Sequence, residues 1–511
     1  MMDWQHHLPV LVVILPLFGG LLSIFMPRGG VVPWGWAMAV TALEAFLGIS
    51  LLRRVLAEPD GVVEYYLGWW KPEYGIGYKV DPLNAYVIVV VCIIAAASTF
   101  YARLSVDDEI PRDRHNAFYS VWLLAIAGLV GITVTGDTFN IYVLLEISSL
   151  TVYSLIALGK YRDRRALTAS LKYLILGSIG ATFILLGIGY LLMLTGTLNM
   201  ADMHEQLMAM KAEGLIEHNR TVFVGFAFLM VGLGLKMAMF PLHMWLPNAY
   251  TYAPSAVTVL VASTATKVGV YMAFRFVFTI FGGVYDETAN LLFIMLCASA
   301  GILVTAVRAA QQDDVKKVLA YSSVGQLAYI IAGMSLFNQA GVTASIIHIF
   351  NHAIIKGGMF MAVGAVIYRT GGCSLAHFRG LGKKMPLTMA AFTVGGLGLI
   401  GMPLTAGFIS KAYLISGALG RGYWWLALIV LVGSLIAIVY VWRIVETIYF
   451  KAPDPDDAEA TRRWNDAQEA PPSMLIAMWA LIGASVFFGL NAELTGSLAE
   501  RAALVLLGGL V

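Results

Sequence analysis

Five ionisable residues stand deep inside long apolar stretches: Glu146 in TFNIYVLLEISSL, Lys236 in GLGLKMAMF, Lys267 in ASTATKVGV, Lys356 in HAIIKGGMF and Lys411 in GFISKAYL. A lysine at the centre of a bilayer costs roughly 3 kcal/mol on insertion scales, so a series of them marks a polar interior with a use for positive charge. A carboxylate and an ammonium side by side can ionise together. When they separate, each becomes a proton donor or acceptor. Glu146 and Lys236 are the candidates for that pair, against the plainer reading of a static ion pair that only fixes packing. Lys267 is flanked by Ser263, Thr264 and Thr266, small polar groups that can hold water, and its alternative is snorkelling to the interface. His348, His352 and Lys356 fall at i, i+4 and i+8 and so share one helical face. An imidazole hands a proton on through its two nitrogens. The same spacing suits a two-histidine metal site, but no nearby carboxylate or cysteine completes one, so no metal is expected.

Other charged groups rank below these. Lys172, in ASLKYLILGS, either tunes Glu146 or reaches the cytoplasmic surface. Asp137, Asp81, Glu44 and Glu446 read as nearer span ends, with structural or rim roles. Arg275 and Arg443 read as snorkelling, and Trp69, Trp70, Trp424 and Trp425 as interfacial anchors.

These residues need spanning helices to place them. The chain is 59% apolar and 13% charged over 511 residues, and apolar runs of membrane-crossing length recur throughout. Fourteen spans are expected, about 8–26, 34–52, 82–102, 117–135, 138–158, 169–194, 221–240, 253–281, 289–308, 318–337, 341–368, 386–418, 424–450 and 473–491. The first run lacks a basic leader and a clean cleavage site and reads as a span, not a signal peptide. The stretch from Leu494 reads as interfacial or packed on the bundle. Between the seventh and eighth spans lies FPLHMWLPNAY, where Pro241, Pro247 and Pro254 interrupt regular helix. In the twelfth, Gly401, Pro403 and Gly407 precede Lys411. Broken helices at matching places in two halves point to inverted repeats around a transport route. Loops after odd-numbered spans hold eighteen Lys and Arg, those on the other side eight. Both termini are therefore expected on the non-cytoplasmic side. The three cysteines stand apart, and no nucleotide-binding or iron–sulfur motif occurs. No cofactor, catalytic residue or nucleic-acid partner is expected.

Glu146, the lysine before FPLHMWLPNAY, Lys267, HIFNHAIIKGGMF and Lys411 together resemble the antiporter-like membrane subunits shared by respiratory complex I, membrane-bound hydrogenases and Mrp-type cation/proton antiporters. Within that group TGDTFNIYVLLEISSLTVYSLIALG is most similar to the D-type subunits of Mrp antiporters. The likeness covers roughly residues 80–450. It implies an all-α integral membrane fold of about fourteen helices, with two inverted five-helix repeats and helices seven and twelve broken. The chain then reads as one polytopic domain, 1–511. Residues 1–116 hold helices one to three, 117–281 the first repeat, 282–450 the second, and 451–511 helix fourteen and the tail. The resemblance further implies a proton line from Glu146 and Lys236 through Lys267 and the His348/Lys356 region, with His352 a further candidate, to Lys411. It implies a secondary transporter subunit in a prokaryotic cytoplasmic membrane, set among lipid and other Mrp-type membrane subunits and handling protons with sodium or potassium. A proton-pumping subunit of a redox-driven complex is the alternative.

Overall fold

The computed structural model describes residues 4–72, 74–216, 219–284, 288–453 and 456–508. Its helices, in order, are α1 (Leu8–Ser23), α2 (Val31–Ala57), α3 (Pro82–Glu109), α4 (His115–Val134), α5 (Thr138–Ala157), α6 (Arg165–Thr195), α7 (Met200–Ala212), α8 (Arg220–Lys236), α9 (Leu246–Tyr252), α10 (Ser255–Ser263) and α11 (Ala265–Phe274). After a π-helical turn, Arg275–Ile280, come α12 (Thr288–Ala310), α13 (Val315–Met334), α14 (Gln339–Thr370), α15 (Leu375–Phe378), α16 (Pro386–Ile400), α17 (Ala406–Gly420), α18 (Trp424–Tyr449), α19 (Ala458–Asp466), α20 (Pro472–Leu490) and α21 (Ala492–Leu507). Among the described residues, eleven stretches are long and apolar enough to cross a membrane. Helix also occupies the three other expected spans. There α8 is seventeen residues long, α16 and α17 fifteen each, and α13 carries Lys316, Lys317 and Gln326.

Side-chain short-range chemistry starts these helices. Asp81 accepts the Leu83 and Asn84 amides at 2.8 and 3.1 Å while Asn84 Oδ1 accepts the Asp81 amide, a reciprocal cap with Pro82 in the first turn. Asp314 and Asn338 cap α13 and α14 in the same manner, through the Lys317 and Gly341 amides.

The innermost helix is α14: its membrane-crossing stretch is wholly buried, although one face carries His348, His352 and Lys356. It packs against α3, α10, α13, α16, α17, α20 and α21. The peripheral α6 instead turns Leu171, Ile175, Ile179 and Leu186 outward, the arrangement lipid requires. The stretch from Leu494 forms α21, which packs on α14 and α3. The segment before α3 adds a small hairpin of β1 (Val63–Tyr66) and β2 (Gly77–Val80), antiparallel, with Val63 opposite Val80 and Tyr66 opposite Gly77.

Among the described residues, three breaks interrupt the bundle's helices. Helix α8 stops at Lys236 and the chain resumes as α9 after a segment containing a cis Phe240–Pro241 bond and Ala238 at φ 55°. Helix α16 stops before Gly401 at φ 87°, and Leu404 at φ 72° precedes α17. Gly407 there lies against the Gly398 carbonyl so closely that a β-carbon would collide with it. The third interruption corrects the expectation of one continuous helix over 253–281. Thr264 leaves helical geometry (φ −123°, ψ −58°) and its hydroxyl bonds the Leu260 carbonyl at 2.6 Å, a local bond that competes with the helix ladder.

Candidate functional site

Helix α5 puts Glu146 and Ser149 three residues apart on one face, opposite the end of α8. There Lys236 Nζ lies 3.7 Å from Glu146 Oε1 and donates to Ser149 Oγ at 2.9 Å. The first contact is an ion pair too long for a hydrogen bond, and Glu146 Oε1 is buried with no hydrogen-bond partner. The Lys236 side chain is 4% exposed and that of Glu146 26%, so the carboxylate is the wetter member. Trp245 donates to the Leu235 carbonyl at 2.8 Å and stacks on Tyr173 with centroids 4.0 Å apart, which fixes the frayed end of α8. A cavity of about 20 Å³ lies between Ser149, Tyr173 and Lys236 on one side and Ala265 and Gly269 of α11 on the other. That is room for about one water.

Lys267, which does not line that cavity, occupies the first turn of α11 and turns its ammonium back onto the Ala262 carbonyl. A cation at the C-terminal end of α10 meets free carbonyls and the negative end of the helix dipole. Ser263 Oγ and Thr266 Oγ1 beside it are buried without hydrogen-bond partners. Ser263 also faces α14: a β-carbon on Gly357 would sit 3.1 Å from its hydroxyl.

On α14 the expected face is realised. Lys356 Nζ donates to the Leu319 carbonyl and Ser322 Oγ, both at 2.9 Å, and Ser322 is 3.1 Å from the Tyr440 hydroxyl. Both ring nitrogens of His352 are buried and without hydrogen-bond partners. Its ring lies 6.0 Å from that of His348 at an interplanar angle of 24°. His348 spans the gap to α17, with Nδ1 2.7 Å from Ser410 Oγ and Nε2 3.0 Å from Gln326 Oε1. Next to Ser410, Lys411 Nζ donates to the Leu399 and Ile400 carbonyls and to Ser434 Oγ, all at 2.9 Å, and sits 4.9 Å from the Tyr329 ring centre.

The structure therefore brings Glu146 to Lys236, sets Lys267 at the break between α10 and α11, and gathers Lys356, His352, His348 and Lys411 along α14 and α17. Asp137 and Lys172 stand apart. Asp137 caps α5 through the Asn140 amide at 2.6 Å, and burial raises its carboxyl pKa against the pull of that amide. Lys172 is exposed on α6.

Two sequence expectations are corrected. Arg275 does not snorkel: it is buried, donating to Asp81 at 2.7 Å and to the Tyr271 hydroxyl at 3.0 Å. Arg443, by contrast, is part-exposed and reaches the exposed Asp313 at 2.5 Å and the Ala310 and Gln312 carbonyls. Glu44 lies midway along α2, fully buried, with both carboxyl oxygens unpartnered. Residues not anticipated are Ser149, Ser322, Gln326, Ser410, Ser434 and Tyr440. Of these only Gln326, an amide inside an apolar run, left a signal.

Chemically these side chains are proton donors and acceptors. Residues 135–437 match the family described as NADH:quinone oxidoreductase/Mrp antiporter, transmembrane. The N-type subunit of the NADH-quinone oxidoreductase of Desulforudis audaxviator is 39% identical over 504 residues, covering 97% of this chain and 98% of the relative. The D-type subunit of the Na(+)/H(+) antiporter of Bacillus subtilis is 28% identical, with 98% of each chain covered. Among solved structures, one chain of the Mrp complex from Dietzia superposes with a TM-score of 0.87 at 26% identity, over 99% of this chain and 98% of that one.

Proposed function

Because the chain belongs to the NADH:quinone oxidoreductase/Mrp antiporter membrane family, we propose that it moves protons along its buried Glu/Lys/His line as one subunit of a multi-subunit monovalent cation/proton antiporter. The observation that carries this reading is the Glu146–Lys236 pair at the broken end of α8, with a gap of one water beside it and α11 on the far side of that gap. Loss of the pair frees an ammonium proton beside that gap, and Lys267, Lys356, His352, His348 and Lys411 supply successive sites toward the opposite broken helix. Two inverted repeats, helices four to eight and nine to thirteen, would set the broken helices on either side of α14. Both termini would then lie outside the cytoplasm.

A second reading has its own support. The oxidoreductase subunit is 39% identical against 28% for the antiporter subunit, which favours the same line driven by electron transfer in partner subunits. Everted vesicles holding the whole gene cluster separate the two. Addition of sodium or potassium should dissipate an imposed ΔpH, and Lys236→Ala should abolish the response. Proton pumping on adding a reductant, with no cation response, would overturn the antiporter reading and leave the proton line standing.

A further inference from the structure

Helix α17 borders two cavities that share Ser416 in their walls. The deeper one, about 520 Å³, lies between α17 and α18 and reaches the break before α17, where Gly401 and Lys411 border it. Phe408, Leu419 and Leu431 on its walls are exposed, so it opens to the side of the bundle, where lipid lies. Lys411 does not leave this space with an unmet charge, because its ammonium already has the Leu399 and Ile400 carbonyls and Ser434. The second cavity, about 480 Å³, sits where the end of α17 meets the start of α14 and the middle of α21. Its wall is polar, with Gln339, Thr343, Tyr413, Arg421 and Glu500.

The offset between the two has the dimensions of one lipid leaflet. Ten residues separate Lys411 from Arg421, about 15 Å along a helix, which is half of a hydrocarbon core of about 30 Å. Tyr423, Trp424 and Trp425 follow Arg421 closely, and tyrosine and tryptophan favour the membrane–water interface. The deeper cavity is therefore at acyl-chain depth and the polar one at headgroup depth.

Two features of the polar cavity call for a ligand. Thr343 is 1% exposed and lines it, yet its hydroxyl has no hydrogen-bond partner. Arg421 and Glu500 bring opposite charges to one cavity, yet among the described residues neither forms an ion pair. Arg421 donates to the Phe337 carbonyl at 2.5 Å, and Glu500 accepts from the Tyr413 hydroxyl at 2.8 Å. An apolar helix from a partner would fill the deeper cavity and leave this cation and anion as they are. A lipid whose headgroup carries both signs fills the one and bridges the other.

We propose that the two cavities form a binding site for one phospholipid with a primary-amine headgroup, phosphatidylethanolamine. The phosphate meets the Arg421 guanidinium, and the ammonium donates to the Glu500 carboxylate, both charge-assisted contacts. The Thr343 hydroxyl gains the partner it lacks. An acyl chain lies along Ile415, Leu419 and Leu431 and ends at the helix break. Bound there, the lipid ties the second half of a broken helix, α17, to α14 and α21.

The test uses the whole complex in nanodiscs containing phosphatidylethanolamine with a diazirine on one acyl chain, read by peptide mass spectrometry. Photolysis should label Ile415, Leu419 and Leu431 several-fold above Leu171, Ile175 and Ile179 on the exposed face of α6. Unlabelled phosphatidylethanolamine should compete. Phosphatidylcholine, whose quaternary ammonium has no proton to donate, should compete roughly ten-fold less well, the worth of one hydrogen bond between charged groups. Glu500→Gln should erase that preference while groove labelling persists, and Arg421→Gln should lower groove labelling roughly ten-fold. Unchanged labelling of α6 in each variant shows that the protein is folded and embedded. Equal labelling of groove and α6 means bulk lipid only and would overturn the site. Equal competition by phosphatidylcholine would overturn the headgroup assignment. An unlabelled groove crosslinked to a partner subunit would mean that protein covers it, and would overturn the proposal as well.

Discussion

Two lysines at two helix breaks are held in different ways. Lys236 ends α8 and has a carboxylate, Glu146, 3.7 Å away, plus one serine. Lys411 starts beyond the break and reaches back to the final carbonyls of α16, with Ser434 completing three acceptors at 2.9 Å. One is balanced by a formal charge, the other by carbonyl dipoles at a helix end. A carboxylate can itself take up a proton or move away, so the Lys236 site has two states built into its partner. Backbone carbonyls cannot titrate, so the Lys411 site changes only when α16 and α17 shift or when Lys411 gives up its proton. Under the proposed proton line, this contrast puts coupling at the first site and gating at the second.

The largest effect that probes this contrast is in a double-mutant cycle. Lys236→Met leaves Glu146 facing an apolar wall, and removing one member of a buried pair costs about 3–5 kcal/mol. The partial exposure of Glu146 places the cost at the lower end. Adding Glu146→Leu should recover most of that stability, because an apolar pair replaces an ionic one, while transport stays lost. Lys411→Met should also destabilise, since it leaves polar acceptors unpaired at about 1–3 kcal/mol each, but Glu146→Leu should not rescue it. Thermal unfolding of the detergent-solubilised complex for each variant gives the coupling energies. Equal rescue at Lys411 would erase the distinction.

A smaller effect sharpens it. Ser149 is one of two oxygens near Lys236, and Ser434 one of three on Lys411. A hydrogen bond to a charged group is worth about 1.5–3 kcal/mol net. Ser149→Ala should therefore slow proton transfer by roughly ten-fold or more, and Ser434→Ala by less, because two carbonyls remain. Vesicle ΔpH assays of both variants at equal protein level check the order, and a larger loss at Ser434 would reverse the assignment of the two sites.

Much of this was legible from residue types. A charge inside an apolar run is rare enough to announce itself, so Glu146, Lys236, Lys267, Lys356 and Lys411 were readable, as was the shared face of His348 and His352. Proline and glycine announced two of the breaks. The third was silent, because Thr264 acts through its hydroxyl and threonine is ordinary in a spanning helix. Partners were silent too: Ser149, Ser322, Ser410 and Ser434 are common residues whose roles depend on which helices meet, and carbonyl acceptors have no sequence signature. Arg275 misled for a related reason. Its counter-ion Asp81 is 194 residues away, and near a span end an arginine with no local partner reads as snorkelling. Glu44 was misplaced although it falls near the middle of the expected span 34–52, as it does in α2.

The smallest effect concerns the backbone at the two breaks. Ala238 and Leu404 both take positive φ, 55° and 72°, which costs a non-glycine residue roughly 1–2 kcal/mol. Glycine removes that strain but gives back about 0.5–1 kcal/mol in unfolded-chain entropy. At Leu404, 66% exposed, little burial is lost, so Leu404→Gly should raise the unfolding temperature of the solubilised complex slightly. Ala238 is fully buried, and its methyl is worth about 0.8 kcal/mol of burial, so Ala238→Gly should come out near neutral. The sign of the difference matters more than its size. If Ala238→Gly proved the more stabilising, the break beside Lys236 would be the more strained of the two, and the site with the titratable partner would also be the one whose backbone is poised to move.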